Sequence, residues 1–477
     1  MRHPPSRYPR LELIALCAAE FIAVVDGSIV SIALPDIKGD LGFSTGATQW
    51  VFNAYGLAIA AMLLPAGRLC DTVGARRVYL WSILAFAVAS TAAGLAPSPA
   101  VLLAGRAAQG LCAGAFLPAA LSLIAGYGKD EAERNRALGA NGAALSLGFV
   151  AGVILGGVMT ELLGWRSTIL LGAPMALLTF GMAYVAVPRM APDRERTPLD
   201  FPGAALGLVA LVSFNLGIFL LALGGAGAAV GTAALVVAVA SGLAFVRVER
   251  RARDPLLPLS VFRNRQLVAA NAAIGLKAMA GVSILFALTY YFQDVRGISA
   301  WRTSLLILPM TATGIAVALV AGRISTRVGI RRLTIAGLVL FAVGLALLGR
   351  LPVEGTLVTV VAFSMFSEVG FVLSEVPLTI AGATALATDR HGLAASLFQV
   401  SINVGNGLGL TLVGAIVAVR AGDRADEPEV LASALRYGVG VAVLAILAAA
   451  VVAGLRLRDG PETGDEQGAG LRAQQPS

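Results

Sequence analysis

From Phe201 to Val246 the chain runs without a single charged side chain. A helix needs about 20 apolar residues to cross the hydrocarbon core of a bilayer, so this one stretch is long enough for two crossings. Val78–Gly105, Ala137–Thr160, Ser167–Pro188 and Gly392–Val419 are equally bare. Charged residues make up 13% of the chain, where a soluble protein carries about a quarter, and 57% is hydrophobic, far too much for disorder. The expected class is an all-α polytopic membrane protein.

Apolar runs and turn residues place helices near 11–34, 48–69, 78–96, 100–125, 137–163, 167–187, 202–222, 229–246, 267–293, 303–321, 333–349, 356–386, 393–419 and 434–455. That is fourteen transmembrane helices, with tight turns expected at Pro97-Ser98-Pro99 and at 224–227. The first is too long for a cleavable signal and carries Glu20 and Asp26. Lys and Arg set the orientation. With the amino terminus inside, 26 basic residues fall on the inner side and 8 on the outer, with Arg106 and Lys277 within spans. Both termini are therefore expected in the cytoplasm. The net charge of +8 is spread between apolar runs rather than gathered on one face, so no nucleic-acid partner is expected.

The segment GRLCDTVGARR, Gly67 to Arg77, recurs as GRISTRVGIRR, Gly322 to Arg332, with six of eleven positions identical at an offset of 255. Both copies fall between the second and third helices of a six-helix set. The predicted organisation is a six-helix bundle over 1–200, an inserted helix pair over 201–250, a second six-helix bundle over 251–455 and a tail over 456–477. Parallel repeats of this kind form transporters whose site lies between the halves near the midplane.

Physical chemistry marks three groups of residues. Gly67 and Gly74 permit a tight turn between helix ends, where Asp71 can act as a latch and Arg76 and Arg77 can meet anionic lipid headgroups. Gly148, Gly152 and Gly156, with Gly157 beside the last, form a small-residue ridge that lets another helix approach closely, as packing or as a substrate-excluding seal. Asp26, Arg106, Lys277, Glu368 and Glu375, with Glu20, are ionisable groups inside spans, each costing about 2.5–3.5 kcal/mol on insertion scales. Asp26 is expected to face the central cavity, with Glu20 the weaker candidate. Glu368 and Glu375, seven apart, share a helix face. Lys277 is expected to pair with Glu368, or else with Glu375, leaving the other free to carry protons. Trp50, Trp165 and Trp301 are expected as interfacial anchors.

The joint pattern resembles the Major Facilitator Superfamily and, within it, the fourteen-helix drug:proton antiporter branch. The residues carrying the resemblance are Gly67–Arg77, Val25–Pro35, Leu103–Gly110 with Arg106, Gly148–Gly157, Asp254–Arg265 and Tyr291–Gln293. The resemblance implies that Arg106 takes part in proton coupling and that Gly148–Gly157 is an antiporter motif. Val153 stands where that motif usually has proline, and Thr326 stands where the first loop copy has Asp71.

Nothing in the chain suggests a cofactor. Gly126–Lys129 lacks the spacing of a phosphate-binding loop, His3 and His391 are too few for a metal site, and Cys17, Cys70 and Cys112 read as small hydrophobes. The expected function is proton-coupled export of small organic molecules by a monomer in a bacterial plasma membrane. An importer or facilitator on the same fold is the alternative, and a membrane-embedded enzyme or sensor the remote one.

Overall fold

The computed structural model describes residues 7–127, 131–188, 201–223, 225–252, 255, 257–350, 356–383, 385–386, 391–425 and 427–457. The predicted tail beyond residue 457, the boundary near residue 200, Lys129 and Asp254 lie outside them. The described residues contain no strand. In chain order the long helices are α1 Pro9–Leu41, α2 Trp50–Leu69, α3 Ala75–Gly94, α4 Pro99–Ala125, α5 Glu131–Leu163, α6 Trp165–Ala186, α7 Phe201–Leu223 and α8 Gly225–Arg251. There follow α9 Arg265–Tyr290, α10 Ala300–Val328, α11 Ile330–Leu348, α12 Leu357–Ala383, α13 His391–Ala421 and α14 Pro428–Arg456.

Thirteen helical segments are long and apolar enough to cross a membrane. The number is thirteen because α2 and α3 join through a π-turn, Cys70–Gly74, into one stretch, Thr45–Gly94. Helices overrun the hydropathy windows at many ends: α1 extends to Leu41 and α8 to Arg251. Backbone hydrogen bonds continue into the interface where charged side chains reach water. Stops follow local chemistry. Gly42, at φ 72°, closes α1 with its N–H on the Lys38 carbonyl, and the Asn264 side chain caps α9 by accepting from the Leu267 N–H at 2.9 Å.

The repeat is visible in the backbone. Gly74 (φ 97°, ψ 128°) and Gly329 (φ 95°, ψ 148°) stand at equivalent positions of the two loop copies, each in a region closed to residues with a Cβ. Gly67 does not turn the chain: it lies inside α2, and the turn expected of two glycines is made by Gly74 alone.

The glycine ridge of α5 packs on α1. Added Cβ atoms at Gly148, Gly152 and Gly156 would lie within 3.0 Å of the carbonyl oxygens of Phe21, Val25 and Ile29. Gly157 looks the other way, across to Ser304 and the Ala300 carbonyl of α10. So three glycines pack within the first half, and the fourth belongs to the contact between halves.

That contact is concentrated at the end of the molecule away from the termini. There Lys38 pairs with Asp294 at 3.2 Å, and the Gln293 side chain donates to the Ile32 carbonyl at 2.9 Å. The Ser304 hydroxyl donates to the Val153 carbonyl at 2.7 Å, and Glu161 accepts from the Trp301 N–H at 3.0 Å. Gly46 abuts Gly414 and Ala418. A separate apolar core of residues from Ala15 to Val187 belongs to the first half alone.

Candidate functional site

Between the halves lies a cavity of about 310 Å3, walled by α1, α2, α4, α5, α9, α10, α11, α12 and α13. Its lining is apolar and aromatic, with Phe52, Tyr55, Phe149, Phe341 and Phe371, and it carries two carboxyl groups, Glu20 of α1 and Glu368 of α12. Gln399, Asn403 and Asn406 of α13 add amides. A second cavity, about 530 Å3, shares Glu20, Leu117 and Gln399 with the first and reaches Gly67, Arg68 and Asp71. The two therefore form one passage from mid-helix to the end that bears the termini, while the opposite end is packed shut.

The acid on α1 that meets the cavity is Glu20. Asp26, expected there, is instead buried within the first half. Arg106 Nη1 donates to Asp26 Oδ2 at 2.5 Å and to Gln109 Oε1 at 2.9 Å. The Gln109 amide donates to Asp26 Oδ1 at 3.0 Å and reaches Ser90 Oγ at 2.8 Å. Arg106 Nε donates to the Val51 carbonyl at 3.1 Å, and the guanidinium lies 4.4 Å from the Tyr55 ring centroid. Both carboxylate oxygens of Asp26 are thus bonded without water. The expectation failed because it treated a charge as needing the cavity. A bidentate arrangement of partners removes that need.

In the second half Lys277 is wholly buried and pairs with Glu375, not Glu368. Its ammonium also sits 3.2 Å from the centroid of the Phe371 ring, an attraction that strengthens when desolvated. Glu368 is the glutamate left to the cavity. Gly314 of α10 makes its space: a Cβ there would lie 2.6 Å from Glu368 Oε1. The two glutamates share a face, as their spacing requires, but seven residues separate them by about 10 Å along the axis. Lys277 reaches the one nearer the termini.

The loop residues divide similarly. Arg76, expected at lipid headgroups, donates to the Val187 carbonyl at 2.8 Å and the Tyr184 carbonyl at 2.9 Å, tying α3 to the end of α6. Its repeat partner Arg331 donates to the Gly454 carbonyl at the end of α14. Asp71 lines the wider cavity. Arg68, which the sequence suggested only as a topology determinant, donates to the Pro255 carbonyl at 2.5 Å and so joins α2 to the segment entering α9. Trp165 donates to Asp40 at 3.0 Å, and Trp50 packs edge-on to Phe219 of α7.

A model of the Major Facilitator Superfamily matches residues 16–410. The chain belongs to the Major Facilitator Superfamily. It is 34% identical over 469 residues to the puromycin resistance protein of Streptomyces alboniger, covering 96% of this chain and 93% of that one. It is also 34% identical to the cephamycin export protein of Amycolatopsis lactamdurans over 448 residues, 92% and 91% of the two chains. A bacterial homologue of the lysosomal transporter Spinster, solved inward-facing and unoccupied, shares the fold at a TM-score of 0.66 and 16% identity, over 95% of this chain and 97% of that one. The chain is thus a multi-pass membrane transporter similar to actinomycete antibiotic-resistance proteins, and its fold is one of transport rather than catalysis. In this superfamily member the position usually held by proline is Val153, which is fully buried; α5 runs through it unbroken and offers its carbonyl to Ser304.

Proposed function

We propose that this chain is a proton-coupled exporter of small organic molecules that works by alternating access in a bacterial plasma membrane. One observation carries the reading: a cavity between two halves holds two carboxyl groups, leads to the end bearing the termini and is sealed at the other. Counting α2 and α3 as separate crossings gives fourteen spans, an even number that puts both termini on the cytoplasmic side. On that topology the open passage faces the cytoplasm, where an exporter loads. The organisation is two six-helix bundles, near 1–200 and 251–455, around the inserted pair 201–250, acting as a monomer.

Glu20 and Glu368 are the groups that substrate and water can both reach, so they are the proposed proton carriers. Asp26–Arg106 and Lys277–Glu375 hold the helices that present them. Asp71, with Gly74, Arg76 and Arg77, forms the cytoplasmic gate, and Gly157 belongs to the outer seal. The names of the relatives favour antibiotics as substrates. The test uses inside-out vesicles containing the full chain and puromycin as first probe, with a cephamycin as second. Uptake that collapses when the proton gradient is dissipated supports the reading. Gradient-independent equilibration supports a facilitator instead, and proton-driven movement out of the vesicles an importer.

A further inference from the structure

The inserted pair contributes one buried amide to the contact between the halves. Asn215 of α7 is wholly inaccessible, set in a helix of otherwise apolar and small residues. A polar group in such a place must be bonded. Its NH2 donates to the Leu211 carbonyl of its own helix at 2.9 Å. Its oxygen accepts the hydroxyl proton of Thr411, on α13, at 3.1 Å. The same hydroxyl oxygen accepts from the Asn53 amide of α2 at 3.0 Å, and that amide also donates to the Gly407 carbonyl at 3.2 Å. Donation therefore runs one way, from α2 of the first half to α13 of the second and on to the inserted helix. Gly407 leaves room for the meeting, since a Cβ there would lie 2.9 Å from Leu57 and 3.4 Å from Asn215 Oδ1. One turn along α7, Phe219 packs edge-on to Trp50 with centroids 6.3 Å apart.

A threonine in a helix tends to turn its proton back to the carbonyl four residues earlier. For Thr411 that acceptor is Gly407, the carbonyl Asn53 uses. With its proton committed to Asn215, Thr411 leaves Gly407 to Asn53 and presents a lone pair to the same amide. We propose that Asn215 is a positioning residue of the transport cycle. It sets the Thr411 hydroxyl to receive Asn53, and so biases the two halves toward the state closed at the end away from the termini. The inserted pair is thereby a clamp on the α2–α13 seam. This rests on the alternating-access reading above.

The experiment measures the distance between spin labels at Ser44 and Val419, both exposed beside the seam, on the full chain in lipid nanodiscs with Cys17, Cys70 and Cys112 replaced by serine. Asn215→Leu removes the acceptor without adding a polar group. It is expected to raise the population with the seam open roughly fivefold, the scale of one buried hydrogen bond. Thr411→Val is expected to do the same, the double variant no more than either, and Thr411→Ser to keep the parent distribution. If puromycin or pH moves the labels in the parent but Asn215→Leu leaves the distribution unchanged, or if the two substitutions add, the clamp is overturned while alternating access stands. A parent distance that no condition moves overturns both.

Discussion

Each half of the molecule buries one cation against one carboxylate, and the two arrangements differ in what is left over. In the first half Asp26 and Arg106 are both shielded, 3% and 0% exposed, and Gln109 bonds each of them. In the second half Lys277 is 0% exposed, but its partner Glu375 is 32% exposed, and a further carboxyl, Glu368, stands in the cavity. The first cluster is a closed account of donors and acceptors. The second has a surplus acid. A group that is fully bonded in one state resists exchange, whereas a surplus carboxyl can take up or release a proton as the cavity opens to one side or the other. The contrast assigns scaffold to one half and proton traffic to the other, with Glu20 as the first half's own cavity-facing acid.

The comparison breaks most readily at Arg106. Arg106→Ala leaves Asp26 buried with one amide, and removing one partner of a buried pair costs about 3–5 kcal/mol. The expected result is a large fall in thermal stability of the purified protein. Asp26→Asn, which keeps an acceptor for Arg106, should lose less. Equal melting temperatures for Arg106→Ala and the parent would show that the first cluster is not scaffold.

Next in size is Glu368→Gln, nearly isosteric and thus able to fold. Substrate-induced proton release, followed with a pH dye in detergent, should fall at least about tenfold with puromycin binding retained. If release persists there and vanishes in Glu20→Gln, the traffic runs through the first half and the assignment reverses.

Asp71→Asn should leave membrane insertion intact and slow export several-fold, since it removes a charge at the mouth of the wider cavity without touching either ion pair. Export at the parental rate by a well-expressed variant would remove Asp71 from the gate. The smallest effect belongs to Glu375→Gln. Lys277 keeps its place over the Phe371 ring, and a half-open pair is worth about 1 kcal/mol, so a modest drop in melting temperature and near-normal proton release are expected. A collapse in release would show that Glu375 rather than Glu368 is the surplus acid.

Span positions, the repeat and the identity of the costly residues were legible in the sequence because hydropathy and spacing are local properties. The facing of Asp26 and Glu20 was not. Periodicity fixes the angle between two residues on a helix, but the rotation of that helix is set by its neighbours. For α1 those neighbours are α4, which brings Arg106, and α5, whose glycines take the opposite flank. Lys277 chose Glu375 over Glu368 for a similar reason: depth estimated from each helix end ignores tilt. Arg68 and Asn215 act through a backbone carbonyl and a hydroxyl, respectively, on distant segments. Their only sequence signal was a polar residue at or inside an apolar span.

The glycines that join α9 to α13 have a mechanical consequence. Cβ atoms at Gly405 and Gly409 would come within 2.1 Å of the Gly275 and Met279 carbonyls, so the two backbones touch with no side chains between them. Gly337, Gly344 and Gly370 lock α11 to α12 in the same manner. Helices meshed like this cannot slip past one another by a fraction of a turn. The second half should behave as a stiff lever rather than a flexible bundle, with its compliance displaced to the few contacts where it bears on the first half. A bulky substitution at Gly409 would bend the lever, and its effect should surface as lost stroke at Gly46, about 20 Å away if the force travels along α13 itself at 1.5 Å per residue only as far as Gly414 and Ala418 and then across to α2's leading turn.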